Sequence, residues 1–199
     1  KSMLNYHMFS KLGVFEHDVF LGSAAGIRRA AFEKTKGFNS NLKWGMDYEN
    51  EEFGHRLSKD HKILLDPSIT VYHDFPNFIS LTKTYFIRVS QWVRLFAKRR
   101  KFEAGGPASK SVGFASMAFP AFLFSLVYTV INSWWLLPTM LFAMVYLNGY
   151  LGFLRFVLRK KPLFLPIALF LNGYFCIVVS TGAISGLLTF FFGENNDPS

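Results

Sequence analysis

Three long apolar stretches fill the second half of the chain, at residues 112–131, 136–158 and 163–192. Each stretch reaches the roughly 20 residues that a helix needs to cross a bilayer. The pattern therefore predicts an all-α membrane region of three transmembrane helices. The third stretch is longer than one crossing requires, so we expect it to tilt or to break near Asn172 and Gly173.

Charged residues avoid this region. Residues 112–193 contain no Asp or Glu, and their only basic residues are Arg155, Arg159, Lys160 and Lys161. An unpaired charge in hydrocarbon is costly, so a membrane explains this composition better than a helical hairpin buried in a large soluble protein. The few polar residues are of the kind that join helices, which predicts an anchor and not a channel or transporter. They are Asn148, Asn172, Ser180, Thr181 and Ser185.

The charges that flank the spans predict their orientation. Basic residues cluster at 98–101, before the first span, and at 159–161, between the second and the third. The connection 132–135 and the tail 194–199 carry no Lys or Arg. The positive-inside rule then makes this a multi-pass membrane protein with its soluble part in the cytoplasm. We attribute the net charge of +9 to contact with the lipid bilayer and not to nucleic acid.

The first 76 residues alternate between short predicted elements. Strands are predicted at 14–21, 62–65 and 69–72, and helices at 28–34 and 49–58. The second helix begins with acids and has a basic residue near its end, the arrangement that the helix dipole favours. One of its acids, Glu51 or Glu52, is expected to pair with Arg56 across a helical turn. The alternation indicates an α/β class.

Residues 77–111 are predicted to join the two regions as an amphipathic helix and a linker. The helix is expected over 77–101, with an apolar stripe along one side. The stripe consists of Phe78, Tyr85, Val89, Trp92 and Phe96. Basic residues lie away from it, which suits a helix on the bilayer surface. The alternative is an amphipathic helix packed on the soluble part, and the two are compatible.

Several segments follow one another in an order that resembles the membrane-associated family 2 glycosyltransferases of the GT-A fold. The segment 22–29, Gly-Ser-Ala-Ala-Gly-Ile-Arg-Arg, then Phe32 and the segment 36–39, Lys-Gly-Phe-Asn, are similar to that family's small-residue strand end, Arg pair and Gly-Gly-Phe-Asp/Glu turn. Lys36 stands where the family has the first Gly. The resemblance covers roughly residues 14–101.

Three later segments continue the resemblance. The segment 49–57, Glu-Asn-Glu-Glu-Phe-Gly-His-Arg-Leu, is similar to the family's Glu-Asp segment with its following acid and Arg-Leu. Asp-Pro at 66–67 and Val-Tyr-His at 71–73 are similar to the Pro…His strand after it. Gln-Trp-Val-Arg at 91–94 resembles the Gln-x-x-Arg-Trp motif of processive synthases, with Leu95 in place of Trp.

The resemblance implies that residues 1–76 are the carboxyl-terminal portion of a GT-A domain. The implied activity moves a sugar from a nucleotide-sugar to a lipid-linked or polyprenyl-phosphate acceptor. An inverting transferase needs a carboxylate to take the proton of an acceptor hydroxyl. The family's base is usually the Asp of the Glu-Asp pair, but that position is Asn50 here, and an amide cannot accept a proton at neutral pH.

Glu49 is therefore the candidate base, with Asp47 behind it. The Glu-Asn pair formed with Asn50 also resembles the Gly-Glu-Asn segment of animal GalNAc-transferases, which share the GT-A fold. The alternative is that Glu49 belongs only to a solvated helix start, where acids are favoured in any case.

The diphosphate that leaves must be held by cationic or hydrogen-bonding groups. By the resemblance the candidates are Arg28, Arg29, His73, Gln91 and Arg94, and His73 is also a candidate ligand of Mn or Mg. The alternatives are a surface charge for one of the two neighbouring arginines, a hydrogen-bonding role for His73 and a plain interfacial helix for Gln91 and Arg94.

The family's metal-binding Asp-x-Asp motif is not found in this sequence. By itself the sequence is therefore not expected to bind a nucleotide-sugar in the usual way. We expect either that it is the carboxyl-terminal part of a longer enzyme or that it is a non-catalytic membrane subunit. A processive polysaccharide synthase is a further alternative, which would need a channel through the spans.

Overall fold

The computed structural model of the protein describes residues 13–17, 20–40, 48–69, 71, 74, 76–100 and 109–192. Within these ranges the chain is mostly helical, with three long apolar helices and one small two-stranded sheet. The predicted order of short α and β elements followed by an all-α region is confirmed in this coarse form. A GT-A domain remains a prediction.

The sheet consists of two short antiparallel strands, β1 (Phe15–His17) and β2 (Ile63–Leu65), with Phe15 opposite Leu65. The strand predicted over 14–21 is too long, because Phe20 lies outside any strand and its side chain is buried in the core.

The third strand, predicted over 69–72, does not form at its described positions, Ile69 and Val71. A turn precedes them, in which the Ser68 N–H donates a hydrogen bond to Oδ1 of Asp66 at 2.9 Å. Hydrogen bonds from the Ser68 hydroxyl and N–H lower the pKa of the Asp66 carboxyl. Among the described residues β2 pairs with β1 alone, and Ile69 and Val71 do not join the sheet.

Among the described residues two α-helices accompany this sheet, α1 (Arg29–Lys34) and α2 (Tyr48–Leu57). Their core is built around Phe53, which is fully buried. The ring centroids of Phe20, Phe32 and Phe38 lie 5.0, 5.6 and 4.7 Å from that of Phe53. Close aromatic packing of this kind adds to the stabilisation that apolar burial provides.

Arg56 ties α2 to the end of α1. Its guanidinium forms a bidentate pair with Glu52, at 2.6 and 2.9 Å, which confirms the pairing expected across one helical turn. It also donates to the main-chain carbonyl oxygens of Thr35 and Gly37, the latter at 2.6 Å. Gly37 has a φ of 60°, a left-handed conformation that glycine adopts without strain. Arg56 thus holds the turn after α1 against α2.

The next helix, α3 (Phe78–Arg99), forms as predicted to within two residues. Oδ1 of Asn77 accepts a hydrogen bond from the Ser80 N–H at 2.9 Å, which caps the first turn. The helix ends where Arg100 enters the left-handed conformation, with a φ of 56°.

Three helices are long enough and apolar enough to cross a membrane, and they lie within a few residues of the three predicted stretches. They are α4 (Lys110–Ile131), α5 (Leu136–Lys160) and α6 (Leu165–Phe192). The alternative of a break near Asn172 and Gly173 is wrong, because α6 runs unbroken through both.

Hydrogen bonds between side chains join the three apolar helices. The Tyr146 hydroxyl donates to Oδ1 of Asn172 at 2.8 Å, Ser116 and Tyr150 share a hydrogen bond of 2.8 Å, and the Ser180 hydroxyl donates to the Ser116 carbonyl oxygen at 3.0 Å. The predicted helix–helix role is confirmed for Asn172 and Ser180. Buried polar groups need such partners where no water is present to supply them.

Thr181 differs from Asn172 and Ser180. Its hydroxyl is exposed and donates to the carbonyl oxygen of Ile177 in its own helix, at 3.0 Å. A polar side chain in an apolar helix can therefore find its hydrogen-bond partner within its own helix. The residue type alone did not show which polar residues would join two helices and which would bond within one helix.

The amphipathic helix α3 lies against α6. The Phe78 and Tyr174 rings are 5.0 Å apart, and so are the rings of Tyr85 and Phe175. The Cβ of Val89 also faces α6, where a Cβ built at Gly182 would lie 3.4 Å from it. Three residues of the predicted apolar stripe thus pack against another helix of the protein, the candidate span α6.

A leucine at Gly149 should separate α4 from α5. A Cβ at Gly149 would meet the Cβ of Ala115 and lie 2.7 Å from the carbonyl oxygen of Ser111. We expect Gly149→Leu to lower stability by about 1–3 kcal/mol, because overpacking forces the two backbones apart. The thermal unfolding midpoint in detergent measures this. Leu147→Phe, which enlarges an exposed side chain of the same helix, is the control, and equal effects of both changes would contradict the close contact.

Candidate functional site

The acids at the start of α2 have different surroundings. Glu52 binds Arg56, and the Glu51 carboxylate accepts a hydrogen bond from Nη2 of Arg88 at 2.7 Å. Glu49 is partly buried, and its Oε2 is a buried atom with no hydrogen-bond partner among the described residues. Buried polar atoms without partners are uncommon in folded proteins. This oxygen is not solvated, and the role of Glu49 as a base stays a prediction.

Asn50, the residue after the candidate base, lies against the small-residue segment at Gly22. A Cβ built at Gly22 would come within 2.5 Å of Oδ1 of Asn50. The two segments of the resemblance are therefore in contact.

The polar face of α3 carries the other predicted residues. Gln91 is partly buried, and its Oε1 is a buried atom with no hydrogen-bond partner in the described part of the chain. Arg94 follows three residues later and is also partly buried. Because residues three apart in a helix are neighbours, the contact between Arg88 and Glu51 brings this face of α3 to the acidic helix α2.

Arg88 is the residue that sequence reasoning missed. It lies one turn before Gln91 on a helix with several basic residues, and its partner Glu51 is 37 positions away in sequence. A signal existed in the spacing, since Arg88, Gln91 and Arg94 recur every three residues. The neighbouring sequence, however, did not distinguish Arg88 from the other basic residues of α3.

The arginine pair before α1 lies on the surface. Nε of Arg29 donates to Oε1 of Glu33 at 2.7 Å, and the Arg29 side chain is 90% exposed. Arg28 is also exposed, at the position that caps α1. The structure therefore places Arg29 in a surface ion pair, the role expected for one of the two arginines.

Two predicted site residues, Asp47 and His73, lie outside the described residues. Within the described ranges no group of three or more His, Cys, Asp or Glu side chains could hold a metal ion. The resemblance leaves most ligands of the expected Mn or Mg ion to residues outside this sequence, so the metal stays a prediction.

An open cavity of about 520 Å³ lies at the start of α4. It is lined by Ser109, Lys110, Ser111, Phe114, Val145, Asn148 and Gly149. None of these is a predicted site residue, so the cavity and the acidic site are separate features.

Comparison of the chain with protein-family models, with curated proteins and with solved structures finds no match. A function for this chain is therefore argued from its own residues and their geometry.

Proposed function

We propose that this protein is a membrane-bound glycosyltransferase. It moves a sugar from a nucleotide-sugar to a lipid-linked or polyprenyl-phosphate acceptor at the membrane. The observation that carries the proposal is the buried oxygen of Glu49, on a helix that contacts α3, which itself packs on the candidate span α6. Enzymes place partly buried carboxylates of this kind where a proton must be taken.

The chemistry assigns a role to each group. The bond between the anomeric carbon of the sugar and the diphosphate oxygen breaks, while a bond from that carbon to the acceptor oxygen forms. Glu49 takes the proton when the acceptor is a hydroxyl, and Asp47 is proposed to stand behind it. Arg94 and Gln91 are proposed to hold the departing diphosphate, since a guanidinium binds phosphate through two parallel hydrogen bonds.

The position of α3 supports a lipid-borne acceptor. Its apolar side packs on α6, and its polar side carries the Arg88 contact to α2. An acceptor anchored in the bilayer would lie beside α3 and α6, and the basic residues of α3 attract anionic groups.

The resemblance implies Mn or Mg as a cofactor that neutralises the diphosphate. Because the described residues do not form a metal site, no step above is routed through a metal ion. Arg28 and His73 stay proposed diphosphate contacts on the resemblance alone.

The proposal is tested with the purified full-length protein in lipid nanodiscs that contain polyprenyl phosphate or a lipid-linked glycan. Radiolabelled nucleotide-sugars are added one at a time, with Mn or Mg, and label in the lipid extract is measured. We expect single additions from one donor. A long polymer would indicate a processive synthase instead, and no transfer from any donor would indicate a non-catalytic subunit.

A further inference from the structure

The helices α3 and α6 run in the same direction along each other. Contacts between them advance together along both helices. In chain order they are Phe78 with Tyr174, Tyr85 with Phe175, Phe86 with Gly182 and Ser90 with Gly186. The Thr82 hydroxyl also lies 3.2 Å from the Tyr174 hydroxyl, within the same series. The contact therefore extends over most of α3 and is not a single crossing point.

Two glycines make this contact close. A Cβ at Gly182 would lie 2.8 Å from the carbonyl oxygen of Phe86. A Cβ at Gly186 would meet the carbonyl oxygen of Ser90 and lie 3.0 Å from its Cα. These are main-chain atoms, so no side-chain rotation would relieve the clash. Glycines four residues apart lie on one face of a helix, and here they form the groove that receives α3.

The opposite side of α3 holds the acidic helix. At 3.6 residues per turn, Gln91 lies across the helix from the residues that contact α6, and Arg88 lies beside it. Arg88 binds Glu51, whose side chain is 16% exposed. Glu51 and the candidate base Glu49 belong to the same first turn of α2. One side of α3 thus contacts the candidate span α6, and the other side contacts the acidic first turn of α2.

We propose that Gly182 and Gly186 are positioning residues for the acidic site. Their contact with α3, continued through the Arg88–Glu51 pair, fixes the first turn of α2 relative to the membrane helices. The link to catalysis rests on the proposed function, whereas the docking of α3 does not depend on it. A small displacement of a reacting group is enough to lower turnover by about 100-fold, so this docking controls the rate.

The first test uses spin labels at Ser58→Cys, just after α2, and Leu188→Cys, on the exposed side of α6, with Cys176→Ala as background. The full-length protein in nanodiscs should give one narrow distance distribution. Gly186→Leu should broaden or shift it, because α3 no longer fits the groove. Ile184→Phe enlarges an exposed side chain of α6 and should leave the distribution narrow.

The second test leaves α6 intact. Glu51→Arg alone and Arg88→Glu alone should each broaden the distribution, and the two together should restore it by re-forming the pair with the charges exchanged.

In the sugar-transfer assay the single changes and Gly186→Leu should lower kcat by about 10- to 100-fold with a smaller change in KM for the nucleotide-sugar. The charge exchange should recover kcat.

The outcomes separate the two proposals. An unchanged distance in Gly186→Leu, or no restoration by the charge exchange, would overturn the docking role. A changed distance with unchanged kcat would show that the docking does not position the site. If the unaltered protein transfers no sugar, the distances still decide the docking, and the failure belongs to the proposed function.

Discussion

Replacing Glu49 with Gln is expected to abolish sugar transfer to a glycan hydroxyl while leaving nucleotide-sugar binding largely intact. The amide keeps the shape of the carboxylate but cannot take the acceptor proton. Loss of a general base typically costs about 10²- to 10⁴-fold in rate. Transfer rate and nucleotide-sugar affinity are measured side by side, and unchanged turnover would remove Glu49 from the mechanism.

The acceptor provides a sharper form of this experiment. The polyprenyl phosphate is largely ionised at neutral pH, because the second pKa of a phosphate monoester is about 6. Transfer to that oxygen needs no base, so Glu49→Gln should slow it far less than transfer to a hydroxyl. Glu16→Gln, which alters an exposed carboxylate paired with Lys62, is the control and should leave both rates unchanged.

Arg56→Ala is expected to be the most destabilising change in the soluble part, by about 2–4 kcal/mol. It removes the bidentate pair with Glu52 and both hydrogen bonds to main-chain carbonyl oxygens after α1. It also leaves the Glu52 side chain, which is 18% exposed, without its cation. Resistance of the soluble part to protease at rising temperature measures the loss.

The chain contains a matched control for Arg56. Arg29 and Glu33 form the same type of pair at the same helical spacing, at 2.7 Å compared with 2.6 Å, but the Arg29 side chain is 90% exposed and the Arg56 side chain 29%. Exposed pairs contribute little because water screens them. Arg29→Ala should therefore change protease resistance very little, and equal effects of the two substitutions would contradict a structural role for Arg56.

The features that the sequence predicted well are those that depend on neighbouring residues. The three long apolar helices follow from the length of the apolar runs, and α3 follows from the periodicity of its apolar residues. The pairing of Arg56 with Glu52 follows from a spacing of four residues. In each case the physical cause lies within a few turns of one helix.

The features that were missed depend on residues far apart in sequence. A strand was predicted over 69–72, but a strand requires a partner from another segment, and the described positions Ile69 and Val71 do not join the sheet. The contact of Gly22 with Asn50 and the bond between Arg88 and Glu51 join separate segments. The sequence placed Glu49 and Gln91 in one candidate site by resemblance alone, and no local pattern showed that α2 would lie against α3.

The glycines at 182 and 186 also bear on how copies of the protein would associate. Two glycines four apart in an apolar helix are a known motif for pairing of membrane helices between subunits. Here α3 of the same chain occupies that face, with Phe86 and Ser90 in contact with the glycines. A homodimer through this motif would require α3 to leave, so self-association through these glycines and the docked position of α3 would be mutually exclusive.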